Sequence, residues 1–219
     1  MPTPRVKVCC IKTAEEAKLA IDLGASAVGL VSQMPSGPGP IPERLIAEIA
    51  SAVPPSVGTF LLTSQTDADV IAAQQRRCGV NVLQIASYPP PGTLATLRKA
   101  LPGVALVKVV HIQGEDSVAQ AVESALGADA LLLDSGNPSD ALPTLGGTGR
   151  VHDWAISARI VSEVHIPVFL AGGLNAENVR EAIETVHPFG VDLCSGVRTQ
   201  GALDPIKLAR FMEQVAAAA

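Results

Sequence analysis

No apolar run in these 219 residues approaches the roughly 20 residues that a membrane-spanning helix needs. Glycine, proline or a charge interrupts each run after a few positions. Aromatic residues make up 3% of the chain, with one Trp and one Tyr, leaving few platforms for stacking bases. The net charge is −5, so there is no basic footprint either, and both facts argue against nucleic acid as a partner. The opening residues MPTPRVKV lack the long apolar segment of a secretory signal, which makes the cytoplasm the expected compartment. Cysteine is scarce as well. Of four, Cys78 and Cys194 are isolated while Cys9 and Cys10 are neighbours, so neither a spaced disulfide framework nor a CxxC pair is present. No Cys/His cluster has metal-ligand spacing, and no metal site is expected.

What is present is alternation. Short β-branched or apolar runs occur at VKVCCI, AVGLVS, VGTFLLT, VLQIAS, ALVKVVHI, ALLLDS, PVFLAGG and GVDLCSGV, each the length of a buried parallel strand. Between most of them lie stretches with apolar residues at helical spacing, such as TAEEAKLAIDLG, PERLIAEIASAV, SVAQAVESALG and NAENVREAIETV. The joints LGASAVGLV, CGVNVLQI and LGADALLLD put Gly24, Gly79 and Gly127 where a helix end favours a left-handed residue. Eight strands alternating with helices fit a (β/α)8 TIM barrel or an open doubly wound sheet. The barrel is favoured, because the first strand is not followed by G-x-G-x-x-G. The expected fold is α/β, one (β/α)8 barrel domain over residues 1–219. Its weakest helix is the sixth, which follows a long Pro/Gly-rich stretch; a second such loop is SQMPSGPGPIPE.

A barrel of this kind carries its chemistry at the C-terminal strand ends. That rule selects Cys9, Cys10, Ser32, Gln33, Thr63, Gln84, His111, Asp134, Gly172, Gly173, Ser195 and Gly196. Strand side chains alternate, so Cys9 and Cys10 should face opposite ways. Lys7 and Cys9 form the row suited to the lumen, while Val6, Val8 and Cys10 form a row suited to packing against helices. Both cysteines could equally be small buried hydrophobes, and Asp134, ending ALLLD, could be a helix cap or a working acid. Glycine pairs after the seventh and eighth strands, Gly172–Gly173 and Ser195–Gly196, coincide with the recurring phosphate site of this fold. LGGTG, at Gly146 to Gly149, could close over a ligand from the sixth loop. Lys7, Lys108 and Asp192 stand inside apolar strands, and a buried charge needs a partner, so at least one Lys–Asp contact is expected inside the barrel.

These segments resemble one family. VKVCCI is similar to the K-[IV]-C-G-[IL] opening of phosphoribosylanthranilate isomerase, GASAVGLV to its second strand, and LLLDS followed by GGTGRVHDW to its sixth unit. LAGGLNAENV and PFGVDLCSGVR resemble its seventh and eighth units. The resemblance implies a cofactor-free (β/α)8 enzyme of tryptophan biosynthesis. Its phosphorylated substrate, N-(5-phosphoribosyl)anthranilate, undergoes an Amadori rearrangement to the 1-deoxyribulose 5-phosphate derivative. It further implies Cys9 as general base and Asp134 as general acid. Such a shift needs a proton given to the furanose oxygen and another taken from C2 of the opened Schiff base, which an acid and a thiolate supply without metal or nicotinamide. For this Asp134 must hold a proton near neutrality and Cys9 must lose one more readily than a free thiol. The phosphate would rest on Gly172, Gly173, Ser195 and Gly196, with Gly147 closing over it.

Two departures concern the aromatic half of the substrate. The family commonly has S-x-R after the second strand, whereas here Ser36 is followed by Gly37 and Pro38, with no arginine. After the fourth strand Gln84, Ile85 and Ala86 stand where Q-L-H is common, and Cys10 occupies a usual glycine. Ser36 and Gly37 are then the expected carboxylate contacts, through a nest of backbone N–H groups in the Ser36–Gly39 turn, with Gln84 beside them; a rigid Pro/Gly lid with no ligand role is the other reading of that turn. Isomerisation of another phosphosugar amine, and a non-catalytic phosphometabolite-binding barrel, are the alternatives.

Overall fold

The computed structural model describes residues 3–136 and 152–218. Eight parallel strands close into a barrel in sequence order, β1 completing the ring against β8. They are β1 (Arg5–Val8), β2 (Ala27–Val31), β3 (Gly58–Thr63), β4 (Val82–Ile85), β5 (Ala105–His111), β6 (Ala130–Asp134), β7 (Val168–Leu170) and β8 (Gly190–Leu193). The helices between them are α1 (Ala14–Asp22), α2 (Glu43–Ala52), α3 (Ala68–Cys78), α4 (Thr93–Ala100), α5 (Asp116–Ala125), α6 (Trp154–Glu163) and α7 (Val179–Val186), and α8 (Pro205–Ala217) follows β8.

Local chemistry sets several helix starts. Thr13, Asp67, Asp153 and Asp204 each accept backbone N–H bonds at the first turns of α1, α3, α6 and α8, satisfying donors that a helix start otherwise leaves unpaired. The sixth helix, expected to be the weakest, is a full ten-residue element capped by Asp153.

Strand alternation divides the core in two. Val8, Leu30, Leu61, Leu83, Leu131 and Leu170 pack outward against the helices. Each such fully buried aliphatic side chain contributes about 1.5–3 kcal/mol. Ala27, Phe60, Leu62, Val107, Leu132 and Phe169 fill the lumen.

The structure corrects two expectations and adds one element. The regular part of β1 ends at Val8, so parity no longer governs Cys10. Cys10 takes a left-handed backbone (φ 61°) and belongs to the lumen cluster with Cys9, not to the helix-facing row. Gly79 is a left-handed cap of α3 as expected, but Gly127 is not left-handed; a Cβ there would meet Leu94 at 3.2 Å, so close packing is what suits a glycine. Finally, β8 leads into a short 3-10 turn (Ser195–Val197) and a two-stranded ribbon, β9 (Arg198–Thr199) with β10 (Ala202–Leu203), which periodicity did not reveal.

Candidate active site

Inside the barrel, Lys7 on β1 and Asp192 on β8 are direct neighbours in register. Their side chains form the expected buried ion pair, with Nζ 2.8 Å from the carboxylate. Lys7 is fully buried. Burial works against its charge, but Asp192, with Cys9 and Cys10 adding to it, holds the amine above its ordinary range. Lys108 behaves differently. It shares the parity of the helix-facing Leu106 and Val110, and its amine lies 4.6 Å from the Tyr88 ring centroid. No carboxylate pairs with it among the described residues, and burial pushes its amine down to about 8.

Above the ion pair, with Asp192 in its lining, the C-terminal mouth opens as a cleft in contact with solvent. Cys9 and Asp134 both line it, together with Gln84, Gly172, Gly173 and Ser195. A Cβ on Gly29 would lie 2.7 Å from Cys9 Sγ and 3.1 Å from Lys7 Nζ. The bare glycine of β2 therefore lets the thiol sit against the strand wall beside the buried ammonium.

Asp134 ends β6 and is only 8% exposed. Its carboxylate accepts the Ser135 N–H at 2.7 Å. Burial raises its pKa from 3.8 to about 6, Asp192 adding to the rise and Lys7 and the Ser135 N–H opposing it. The group is thus held where both protonation states are populated near neutrality, as a general acid requires.

The glycine loops after β7 and β8 interlock. A Cβ on Gly196 would fall 2.1 Å from the Leu174 carbonyl oxygen, so only a bare backbone lets the two loops meet. Gly172 is left-handed (φ 87°), with Ser135 and His152 closing on it at 3.0 and 3.1 Å from where a Cβ would stand. Gly196 is thus packed behind the cleft, whereas Ser195 lines it. Gly147 lies outside the described residues.

The loop after β2 brings Ser36, Gly37 and Pro38 to the rim, with Gly37 and Gly39 left-handed at φ 99° and 90°. No arginine or lysine is among the described residues lining the cleft. Other strand-end polar groups serve the scaffold. Ser32 Oγ donates to the Leu62 carbonyl, and Thr63 Oγ accepts the Gln65 N–H. His111 has its Nε2 3.3 Å from the Ala86 carbonyl oxygen, and burial lowers its pKa to about 4, leaving a neutral ring.

Sequence reasoning did not find the clamp that holds the first loop. Arg198, just past the 3-10 turn, donates to the carbonyls of Cys10 (2.6 Å) and Cys9 (3.2 Å). It also pairs with Glu16 at 3.0 Å. Glu16 in turn accepts the N–H groups of Lys12 and Leu203. The available signal was the capping pattern Thr13-x-x-Glu16, which fixes that glutamate at the start of α1.

The closed barrel and the acid, thiol and glycine loops at its C-terminal mouth define a (β/α)8-barrel enzyme. Residues 6–214 match the family model described as N-(5'-phosphoribosyl)anthranilate (PRA) isomerase, and the chain belongs to that family. N-(5'-phosphoribosyl)anthranilate isomerase 2 of Methanosarcina mazei is 36% identical over 96% of this chain and 93% of its own length. The isomerase of Haloferax volcanii is 40% identical over 90% of this chain and 86% of its own. Among solved structures, the isomerase of Pyrococcus furiosus superposes with a TM-score of 0.82 at 30% identity, covering 98% of this chain and 99% of that one. A phosphoribosyl anthranilate isomerase in complex with reduced 1-(o-carboxyphenylamino)-1-deoxyribulose 5-phosphate superposes with a TM-score of 0.80 at 26% identity, covering 98% and 99%.

Proposed function

We propose that this barrel isomerises N-(5'-phosphoribosyl)anthranilate to 1-(2-carboxyphenylamino)-1-deoxyribulose 5-phosphate with its own side chains. The observation that carries the reading is the convergence of Cys9 and the buried Asp134, whose pKa is raised toward neutrality, in one cleft beside the Gly172–Gly173 and Ser195 backbone. Asp134 donates to the furanose ring oxygen, and the C–O bond breaks to leave a Schiff base. The Cys9 thiolate then takes the proton from C2, and the resulting enolamine tautomerises to the ketone. Two proton transfers by positioned groups typically contribute ~10²–10⁴-fold each. The loops after β7 and β8 receive the phosphate through backbone N–H groups, with Gly196 holding them together.

The carboxylate of the substrate rests on the Ser36–Gly39 turn. A desolvated carboxylate needs a cation or a set of donors, and no cation lines the cleft among the described residues. Left-handed glycines at 37 and 39 allow close approach of backbone to ligand.

Expression of the chain in a tryptophan auxotroph lacking this isomerase, beside Cys9→Ala and Asp134→Asn, tests the reading. Growth restored by the parent and by neither variant is the expected result. A parent that fails to rescue while expressed and folded would direct attention to a different phosphosugar amine.

A further inference from the structure

The proposed rearrangement uses one thiol, yet three meet in the cleft: Cys9, Cys10 and Cys194 all line it, and all are free. Their meeting follows from the strand register. Val8 faces Leu193 as the last pair of the β1–β8 seam, and the Cys9 N–H still donates to the Leu193 carbonyl at 2.8 Å, so Cys9 and Cys194 are the residues with which the two segments leave the barrel. The left-handed turn at Cys10 then swings its side chain back over the same spot. A left-handed backbone costs any residue with a Cβ some energy, and glycine would sit there without it. The thiol is nevertheless closely fitted, being 5% exposed. Its Sγ lies 3.5 Å from the Pro38 carbonyl oxygen and would be 3.1 Å from a Cβ on Gly39.

The two thiols that the isomerisation leaves unused differ in character. Cys194 is half-buried, and its pKa is lowered by its contact with Cys10 and, against the opposing effect of burial, by the nearby Arg198 guanidinium. Cys10 is held protonated, its pKa raised by its contacts with Cys194 and Cys9 and by burial, and its S–H faces the Pro38 carbonyl. A solvent-reachable, thiolate-prone sulfur beside a protonated thiol is the arrangement of an oxidisable cysteine with its resolving partner.

We propose that Cys10 and Cys194 form a peroxide-reactive dithiol that closes into a reversible disulfide at the active-site mouth. The Cys194 thiolate attacks a peroxide oxygen. An S–O bond forms, the O–O bond breaks and hydroxide or an alkoxide leaves, so the sulfur is oxidised by two electrons and the peroxide reduced. Cys10 sulfur then attacks the Cys194 sulfenic acid. The S–S bond forms, the S–O bond breaks, and the departing hydroxide leaves as water with the Cys10 proton. A dithiol reductant restores both thiols by exchange. Closure pulls Cys10 from the Pro38 carbonyl and cross-links the first loop to the loop bearing Ser195, so isomerisation stops while Cys9 remains a thiol.

The test exposes the parent enzyme to limited hydrogen peroxide, alkylates free thiols, and maps unreduced peptides by fragmentation mass spectrometry. Expected are a cross-link between Cys10 and Cys194, an alkylated Cys9, and isomerase activity that falls with the cross-link and returns with dithiothreitol. Cys10→Gly, treated alike and compared with its own starting activity, should recover a smaller fraction, because its Cys194 has lost the thiol that resolves it and oxidises further. A bond that includes Cys9, no cross-link at all, or a Cys10→Gly enzyme that recovers as fully as the parent would each overturn the proposal. The peptide map needs no substrate, so it stands or falls separately from the isomerase reading.

Discussion

Replacing Asp134 by asparagine should make the protein more stable while removing its turnover. The carboxyl is buried, and burial raises its pKa from 3.8 to about 6. In the unfolded chain the group ionises through pH 3.8, whereas in the folded chain it ionises only through about 6. The folded state is therefore penalised over that window: nothing below the unfolded value, rising through it, and complete above about pH 7. The rise of about two pH units corresponds to about 3 kcal/mol at neutrality, and at pH 4 the penalty is well under about 1 kcal/mol. Asparagine keeps an oxygen for the Ser135 N–H and never ionises. Urea unfolding of parent and variant at pH 7.5 and pH 4 reads the effect. The variant should gain about 3 kcal/mol at the higher pH, equivalent to a melting rise of about 6–12 °C for a chain of this size, and little at the lower. A variant no more stable than the parent at pH 7.5, or a gain equal at both pH values, would refute the reasoning that burial tunes this acid.

Other outcomes follow from particular contacts. Lys7→Met strips Asp192 of the ammonium 2.8 Å away and should cost about 3–5 kcal/mol, much of it regained in Lys7→Met/Asp192→Leu; urea unfolding of the four corners of this cycle checks it, and equal stability of the single and double variants would contradict it. In Gly196→Ala the added Cβ meets the Leu174 carbonyl oxygen at 2.1 Å, so the loops after β7 and β8 must part. The expected cost is about 1–3 kcal/mol in both unfolding free energy and phosphate-product affinity, and an unchanged product inhibition constant would remove Gly196 from the grip. Pro38→Arg places a guanidinium on the cleft rim. It should raise kcat/KM for the anthranilate substrate by about 10- to 100-fold, from a charge-assisted pair of about 1.5–3 kcal/mol, with no gain for an analogue lacking the carboxylate. A parent that handles both substrates equally well would remove the carboxylate nest.

Much of this architecture is legible in the chain because a buried parallel strand has to be apolar on both faces, and all eight runs proved to be strands. The strand-end rule then brought Cys9, Asp134, Gln84, Gly172, Gly173 and Ser195 to one cleft. Charge burial foretold a Lys–Asp pair, met by Lys7 and Asp192, but not the fate of Lys108, whose amine lies over the Tyr88 ring. Side-chain alternation misplaced Cys10 because the period of two applies only while the backbone stays extended, and β1 ends at Val8. The Arg198 clamp escaped notice for a related reason. It joins positions 188 and 189 residues apart through backbone carbonyls, which have no side-chain signature. Gly127 and Gly79 read alike in sequence, yet one answers a packing neighbour and the other a helix cap.

The central claim is that Cys9 and Asp134 move the two protons. It is tested most directly by following the loss of N-(5'-phosphoribosyl)anthranilate fluorescence under saturating substrate with Cys9→Ala, Asp134→Asn and the parent, each first titrated with the reduced product analogue. Both variants should bind the analogue close to parent affinity and lose about 10²–10⁴-fold in kcat. A Cys9→Ala enzyme turning over at the parent rate would contradict the account.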